Sequence, residues 1–218
     1  GFIPWDDDID ILMPRPDYEK LQNIIKNMNS DEFGIMHSND LDSFYVTRMA
    51  KIFNKKTYLK EFPHKYILEY GAFVDIFAVN GMPDNVAEIK KMKKDIFLCS
   101  RFLHMYISSI YRIRGKRKKF TWFFKPFAKW ALNKSNEIFN RYDFDSSKYA
   151  MNFEGDSIEK ELMESDLFNH LIDVEFEGHQ FKVFEQYDSY LKHMYGDYMQ
   201  LPSIEEQEPH HSFDLYKI

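Results

Sequence analysis

The sequence lacks the features of several common protein classes. It contains a single cysteine, Cys99, so no internal disulfide can form, and this favours a reducing compartment. No apolar run is long enough to span a membrane, and no signal peptide heads the chain. We therefore expect a cytoplasmic protein.

Several catalytic and binding motifs are also missing. We find no Gly-rich phosphate-binding loop, no cysteine spacing typical of zinc sites, no Ser/His/Asp arrangement and no internal repeat. The net charge of −6 argues against general nucleic-acid binding. Hydrophobic residues make up 44% of the 218 residues and aromatic residues 17%, which is enough to bury a sizeable core. We expect one compact unit.

Negative charge is concentrated among apolar side chains near the start of the chain. Residues 8–13 alternate as a strand does, which predicts that Asp6, Asp8 and Asp10 share one face. Two carboxylates about 6 Å apart repel by roughly 3 kcal/mol at an effective dielectric of about 20. A divalent metal or a raised pKa relieves this repulsion, and oxygen ligands suit Mg²⁺ or Mn²⁺. The alternative is a solvated acidic loop. We expect the flanking apolar residues to be buried, namely residues 2–5, Ile9 and Ile11.

The same stretch resembles a known family. Its run Gly-Phe-Ile-Pro-Trp-Asp-Asp-Asp-Ile-Asp-Ile, followed by Met-Pro-Arg and Asp-Tyr-Glu-Lys, resembles the LicD family, a branch of the nucleotidyltransferase-like superfamily that includes the fukutin-related proteins. Tyr-Gly-Asp-Tyr-Met at 195–199 and the pair His210-His211 are similar to the family's C-terminal signature. Bacterial members transfer phosphocholine from CDP-choline to a sugar of teichoic acid or lipopolysaccharide, using a divalent metal.

The resemblance implies roles for the acidic residues and a limit on activity. Asp8 and Asp10 are then the paired metal-binding carboxylates, with Asp6 as a further ligand. Family members usually carry a phosphate-holding helix and turn just upstream of this motif, and the 218 residues begin within the motif. The resemblance therefore implies an N-terminally truncated core, in which we expect nucleotide binding to be weak or absent.

A third carboxylate interrupts the apolar run at residues 70–80. Burying Asp75 there is costly unless a positive charge compensates it. The run resembles a strand of the family, and the resemblance implies that Asp75 is the third metal ligand or the base that activates the acceptor hydroxyl. The alternative is a carboxylate paired with Lys or Arg on an edge strand.

Basic and aromatic residues nearby are candidates for substrate binding. Lys51 lies in a segment similar to one in the family, and its ammonium suits a polyphosphate. Arg48 precedes it by three positions and would face the other side of a regular strand. A choline headgroup favours an aromatic box, for which Trp5 and Tyr70 flank the acids. The alternative for Lys51 and Arg48 is that both are ordinary solvated strand residues. The alternative for Trp5 and Tyr70 is that both pack in the core.

The two histidines near the end of the chain are a further candidate pair. Because they are adjacent, His210 and His211 point in opposite directions in an extended segment and cannot easily share one metal. We interpret His210 as an acid/base or phosphate-binding residue and His211 as a substrate-binding residue. A packing or solvent-exposed pair is the alternative.

Hydrophobic periodicity predicts the remaining elements. Asp17 is expected to cap a first helix, Asn54-Lys55-Lys56 to turn a hairpin, and Asp84 to cap a long helix. That helix and a second one at about 120–142 form a helical hairpin. The C-terminal part is predicted to contain a strand at 148–154, a β-hairpin around Glu177-Gly178 that extends or covers the sheet, and a helix at 185–195.

These elements predict an α+β fold. The resemblance implies that residues 1–83 form a nucleotidyltransferase-like core with a mixed sheet. A helical hairpin is inserted at residues 84–146, and the strands and helix at residues 147–218 complete the same unit. Residues 112–124 join a basic cluster to aromatic side chains, which suits peripheral contact with the inner face of a membrane. A solvated loop is the alternative.

Three functions agree with this pattern. The resemblance implies metal-dependent transfer of phosphocholine, or of a similar phospho-alcohol, from a CDP-linked donor to a hydroxyl of a glycan or lipid-linked glycan. A metal-dependent glycosyltransferase would also use Asp-x-Asp, with a nucleotide sugar. The third alternative is a non-catalytic glycan-binding protein whose acidic site is a relic.

Overall fold

A computed structural model describes residues 3–36, 41, 49–61, 68–111, 121–155, 157–209 and 212–218. The strands are β1 (Asp10–Pro14), β2 (Phe33–Met36), β3 (Ala50–Asn54), β4 (Thr57–Glu61), β5 (Leu68–Tyr70), β6 (Phe73–Met82), β7 (Tyr149–Asn152), β8 (Leu162–Glu164), β9 (Leu171–Phe176), β10 (His179–Phe184) and β11 (Phe213–Lys217). The α-helices are α1 (Arg15–Asn27), α2 (Val86–Tyr111), α3 (Thr121–Phe139), α4 (Ile158–Glu161) and α5 (Tyr187–Tyr195).

Strand β6 lies at the centre of a six-stranded mixed sheet. Strand β1 pairs with it in parallel, whereas β3 and β7 pair with it antiparallel. The register of β1 overlaps that of β3 at Asp75 and Ile76 and that of β7 at Val79, so β3 and β7 share the opposite edge of β6. Strands β2 and β8 complete the sheet. The architecture is therefore mixed α and β, as the α+β prediction requires.

Helix α1 follows β1 directly and packs on one face of this sheet. Tyr18 of α1 is buried in a cluster with Ala50, Ile76 and Ala78 from the central strands. The predicted cap is wrong: Pro14 occupies the N-cap position without a side-chain hydrogen bond, and Asp17 lies in the first helical turn. Proline is tolerated there because the first helical N–H groups have no intrahelical partner.

The turn after β3 does not form the predicted hairpin. Strand β3 pairs with β2 and β6 in the main sheet, whereas β4 pairs with β5 and β11 in a separate three-stranded sheet. The alternating pattern identifies both strands but says nothing about their partners. The partner of β4 is instead β11, which lies near the end of the chain.

Helices α2 and α3 form the predicted helical hairpin. Asp84 is not the cap, because the side chain of Asn85 accepts the N–H groups of Ala87 and Glu88 instead. The part of the hairpin near the sheet packs through Ile89, Met92 and Ile138 against residues of β6 and β7. Among the described helices, none combines the length and hydropathy needed to cross a bilayer.

The C-terminal part contains the predicted β-hairpin. Strands β9 and β10 pair through a turn in which Glu177 and Gly178 have positive φ values of 50° and 77°. They form their own two-stranded sheet, so they do not extend the main sheet. They cover it instead: Phe184 packs against the cluster that contains Val79, on the face opposite α1. The proposed boundaries at residues 83 and 146 stay predictions.

Candidate functional site

Three charged residues form one row across adjacent strands. Asp10 of β1 lies opposite Asp75 of β6, and Asp75 lies opposite Lys51 of β3. Residues that are directly opposite in neighbouring strands project from the same face of a sheet. A backbone hydrogen bond joins β6 to the start of β1: the N–H of Asp75 donates to the carbonyl of Ile9 at 3.0 Å. The fold thus brings together two predicted acids and the predicted phosphate-binding lysine.

Lys51 and Asp75 form a buried ion pair. The ammonium Nζ lies 2.7 Å from Oδ1 and 2.7 Å from Oδ2 of Asp75. The two residues are only 5% and 6% exposed. The ammonium also lies 3.4 Å from the ring centre of Phe73 and 5.9 Å from that of Tyr70, both within cation–π range. Asp75 is therefore the lysine-paired carboxylate of the alternative interpretation, but on the central strand of the sheet. Its role as ligand or base, and phosphate binding by Lys51, stay predictions.

Asp10 is the acid of this site whose ionised form is clearly disfavoured by its surroundings. Partial burial, followed by the nearby charges of Asp8, Asp75 and Asp6, raises the pKa of Asp10 from 3.8 to about 6, although Lys51 opposes the shift. Like charges and loss of solvent both disfavour the ionised form of a carboxyl group. A cation bound among these oxygens would reverse that preference.

The acids before β1 cluster for a reason other than strand alternation. The regular strand begins only at Asp10, so strand alternation does not extend back to Asp6 and Asp8. The predicted common face of Asp6, Asp8 and Asp10 stays a prediction. A turn at residues 4–5, in which the N–H of Asp6 donates to the carbonyl of Ile3, brings oxygens of Asp6, Asp7 and Asp8 within 4.8 Å of one another. Asp7 is the member that the sequence analysis missed, because alternation assigns it to the opposite face.

The apolar residues around these acids are largely exposed, contrary to prediction. Ile3, Ile9 and Ile11 are 52%, 44% and 42% exposed, and Trp5 lies partly buried in the turn. The described residues that pack on β1 contact mainly Leu12 and Met13, which lie further along the strand than Ile9 and Ile11, so the start of β1 is left open. Trp5 precedes the acid cluster directly, so its assignment to choline binding stays a prediction.

The charge of Asp10 acts on two tyrosines of α5, on which the charge of Glu161 also acts. Burial raises the pKa of Tyr190, with further contributions from Tyr195, Glu161 and Asp10. Partial burial, then Asp10 and Glu161, raises the pKa of Tyr195. The sequence analysis singled out the segment that begins at Tyr195 but gave neither tyrosine a role. Their relation to the site is the electrostatic effect of Asp10 on both hydroxyl groups, which sequence spacing does not reveal.

Three predicted residues lie outside the part of the chain that the structure describes. They are Arg48, His210 and His211. Nothing in the geometry tests their assignments to substrate binding and acid/base chemistry.

The donor set fits a hard divalent cation. Four carboxyl groups, of Asp6, Asp7, Asp8 and Asp10, precede or begin one strand. Partial burial, and then the charges of Asp8, Asp75 and Asp6, raise the pKa of Asp10. Carboxylate oxygens are the preferred ligands of Mg²⁺ and Mn²⁺. These residues therefore have the chemistry that the predicted cofactor requires.

The raised pKa of Asp10 predicts a pH-dependent stability. A carboxyl group whose pKa is higher in the folded state stabilises the fold below its unfolded pKa, and that stabilisation is lost as the pH rises through the folded value. For Asp10 the window is from about 4 to about 6. In EDTA we expect Asp10→Asn to melt at a higher temperature than the wild type at pH 7.5, with a smaller difference at pH 4.5.

Thermal unfolding at the two pH values measures this effect, with Asp31→Asn as the control at an exposed acid. Millimolar Mg²⁺ is expected to stabilise the wild type at pH 7.5 and to leave Asp10→Asn nearly unchanged. Equal melting temperatures of wild type and Asp10→Asn at both pH values would contradict the raised pKa of Asp10.

Comparison with known proteins identifies the family. No protein-family model matches the sequence, and no solved structure matches it. The chain is, however, 30% identical over 230 aligned positions to the lipopolysaccharide cholinephosphotransferase LicD of Haemophilus influenzae, and the match covers 99% of this chain and 82% of that protein. A match of this identity over nearly the whole chain confirms the resemblance seen in the acidic motif. The chain belongs to the LicD family.

Proposed function

We propose that this protein transfers phosphocholine, or a similar phospho-alcohol, from a CDP-linked donor to a hydroxyl of a cell-surface glycan. Lipopolysaccharide and teichoic acid are the acceptor classes considered, and the relative's name refers to the first of them. The observation that carries the proposal is the row of Asp10, Asp75 and Lys51 beside the acid cluster. We further propose that the mixed sheet is a nucleotidyltransferase-like core and that the reaction takes place in the cytoplasm.

The acids supply the electrostatic part of the proposed reaction. Asp8 and Asp10 would hold Mg²⁺ or Mn²⁺, with Asp6 and Asp75 as further ligands. A bound ion of this kind neutralises the charge of a donor diphosphate and orients it. Asp10 must lose its proton to bind the ion, so its raised pKa couples ion binding to pH near 6.

The Lys51–Asp75 pair is suited to positioning and proton transfer. Lys51 holds the Asp75 carboxylate in one place on the central strand. In the role of base, a carboxylate oxygen of Asp75 takes the proton of the acceptor hydroxyl. The hydroxyl oxygen then bonds to the phosphorus that carries choline, and the bond from that phosphorus to the oxygen of CMP breaks. In its other proposed role, Lys51 contacts a donor phosphate.

The remaining assignments contribute substrate contacts. Trp5 is proposed to contact the choline headgroup by cation–π attraction. Arg48 and His211 are proposed to bind the substrate, and His210 to serve as an acid or base. Peripheral membrane contact through residues 112–124 would bring the site close to a lipid-linked acceptor.

Ligand-dependent thermal unfolding tests the proposal. The protein is heated with Mg²⁺ or Mn²⁺ and with CDP-choline, CTP or a UDP-sugar. A ligand at about 100 times its dissociation constant stabilises a fold by about 2.7 kcal/mol. We expect stabilisation by CDP-choline only when the metal is present, and its loss in Asp75→Asn.

The control and the alternatives are part of the same experiment. Asp31→Asn, which changes an exposed acid outside the site, is expected to respond as the wild type does. A response to UDP-sugars alone would support a glycosyltransferase instead. A response to no nucleotide, together with binding of isolated glycan, would support a non-catalytic glycan-binding protein.

A further inference from the structure

The outward face of the helical hairpin is covered by aromatic rings. We call it the hairpin aromatic face, and it consists of Phe102, Trp122, Phe123, Phe127 and Trp130, which contact one another in a chain of rings. Trp122 is 73% exposed and Phe123 50%. Rings from the two helices contact each other: the Phe102 centroid lies 5.9 Å from that of Phe127 and 5.7 Å from that of Trp130. The exposed rings thus form one continuous apolar surface.

The exposed rings do not result from an incompletely packed core. The distal part of the hairpin has its own buried cluster, which includes Cys99, Leu103, Tyr106, Ala128 and Leu132. Small alanines on α3 let the helices approach closely on that side. Two helices alone bury mainly the sides that face each other. Phe102 packs against this cluster, whereas Trp122, Phe123 and Trp130 are 73%, 50% and 48% exposed. An exposed group of large apolar side chains of this kind is typical of an interaction surface.

Charge is segregated onto the same part of the chain. Residues 96–136 contain ten of the 29 Lys and Arg residues and none of the 35 Asp and Glu residues. This segment therefore carries a charge of +10, while the other residues together carry −16. Among the described residues of the hairpin, Arg101, Lys125 and Lys129 are exposed together with the aromatic rings.

We propose that the hairpin aromatic face binds the surface of an anionic lipid bilayer. Tryptophan and phenylalanine insert favourably at the boundary between headgroups and acyl chains, and basic residues beside them are attracted to anionic headgroups. A soluble acidic polymer would satisfy the charges but would leave the rings in water. A second copy of the chain would cover the rings but would bring Arg101, Lys125 and Lys129 of both copies together. The bilayer is the partner that satisfies both features. This inference rests on the membrane contact proposed above for residues 112–124 and adds the aromatic face to it, but it does not depend on the catalytic chemistry.

Vesicle flotation tests the proposal on the intact protein. Binding is compared between vesicles of phosphatidylcholine alone and vesicles that also contain about one third phosphatidylglycerol, at low and high salt. We expect binding to the anionic vesicles, with loss at high salt because the attraction is screened within about 10 Å at 0.1 M. Phe123→Ser is expected to weaken binding about tenfold, as loss of one buried aromatic side chain predicts.

Matched controls separate this face from the rest of the surface. Phe181 on β10 is 51% exposed, close to the 50% of Phe123, and it also contacts another ring. Phe181→Ser should therefore bind as the wild type does. The double variant R101E/K129E is expected to bind at least about 25-fold more weakly, at about fivefold for each lost charge. K20E/K26E on α1 makes the same change of charge away from the hairpin and is expected to have a much smaller effect.

Several outcomes would overturn the proposal, provided that the variants melt as the wild type does. One is equal binding to neutral and anionic vesicles, or no binding to either. Another is that F123S and F181S bind alike, or that the two charge-reversal variants bind alike. A third is a dimer in sedimentation that F123S dissociates, because the face would then be covered by a second copy.

Discussion

Replacing Asp10 by Asn is expected to lower phosphocholine transfer at least about 100-fold, since even residues that only support a metal ligand change activity by about 10 to 100-fold. The substitution keeps the shape of the side chain but removes the charge that lies opposite Asp75 and beside the acid cluster. Release of CMP from CDP-choline, measured with a glycan acceptor and Mg²⁺, reports the reaction. In EDTA the same variant is expected to be at least as stable as the wild type at pH 7.5.

This combination of outcomes distinguishes a site from a structural acid. A residue that only supports the fold would lose activity and stability together, whereas Asp10 should lose activity alone. Asp31→Asn is the control for a general loss of negative charge, and it should keep nearly full activity. An Asp10→Asn variant with activity within about threefold of the wild type, which is about 0.7 kcal/mol in the barrier, would remove Asp10 from the proposed metal site.

Replacing Lys51 by Met is expected to lower the free energy of unfolding by about 3 to 5 kcal/mol, because it leaves the Asp75 carboxylate buried without its counter-charge. Asp75 is only 6% exposed and both of its oxygens lie 2.7 Å from the lysine Nζ. The methionine side chain keeps the apolar contact with Phe73 and removes the charge. Denaturant unfolding at pH 7 measures the change.

An exposed pair on the β-hairpin is the control for this effect. Lys182 and Asp173 also lie 2.8 Å apart, but their side chains are 60% and 58% exposed. Lys182→Met should cost no more than about 1 kcal/mol, because water screens the remaining charge. Adding Asp75→Asn to Lys51→Met should restore part of the lost stability. Equal losses in the two single variants would show that the Lys51–Asp75 pair is not isolated from solvent.

The helical hairpin was the part of the fold most accessible to sequence reasoning. Its two helices have long apolar stripes of helical period, and their contacts are mostly with each other, so local pattern predicts both the elements and their packing. The cap was assigned to Asp84 instead of Asn85 because both residue types favour this position and they are adjacent.

The candidate site was only partly accessible. The family motif pointed to the acids, and the cost of burying a carboxylate pointed to a positive partner for Asp75. The identity of that partner depends on the register of β3 against β6, which places Lys51 opposite Asp75. The sequence predicted only that some Lys or Arg would pair with Asp75, and it singled out Lys51 for phosphate binding, because the pattern within one strand gives no information about the neighbouring strand.

The sequence by itself determined the family, the mixed α and β content, the helical hairpin and the concentration of acids before β1. These properties follow from local side-chain order and from a long motif, which need no knowledge of neighbours. Only the tertiary structure decided that β3 and β4 belong to different sheets, that Lys51 neutralises Asp75 and that the face of β1 near Ile9 stays open. These depend on contacts between residues far apart in the chain, for which strand periodicity carries no information about partner or register.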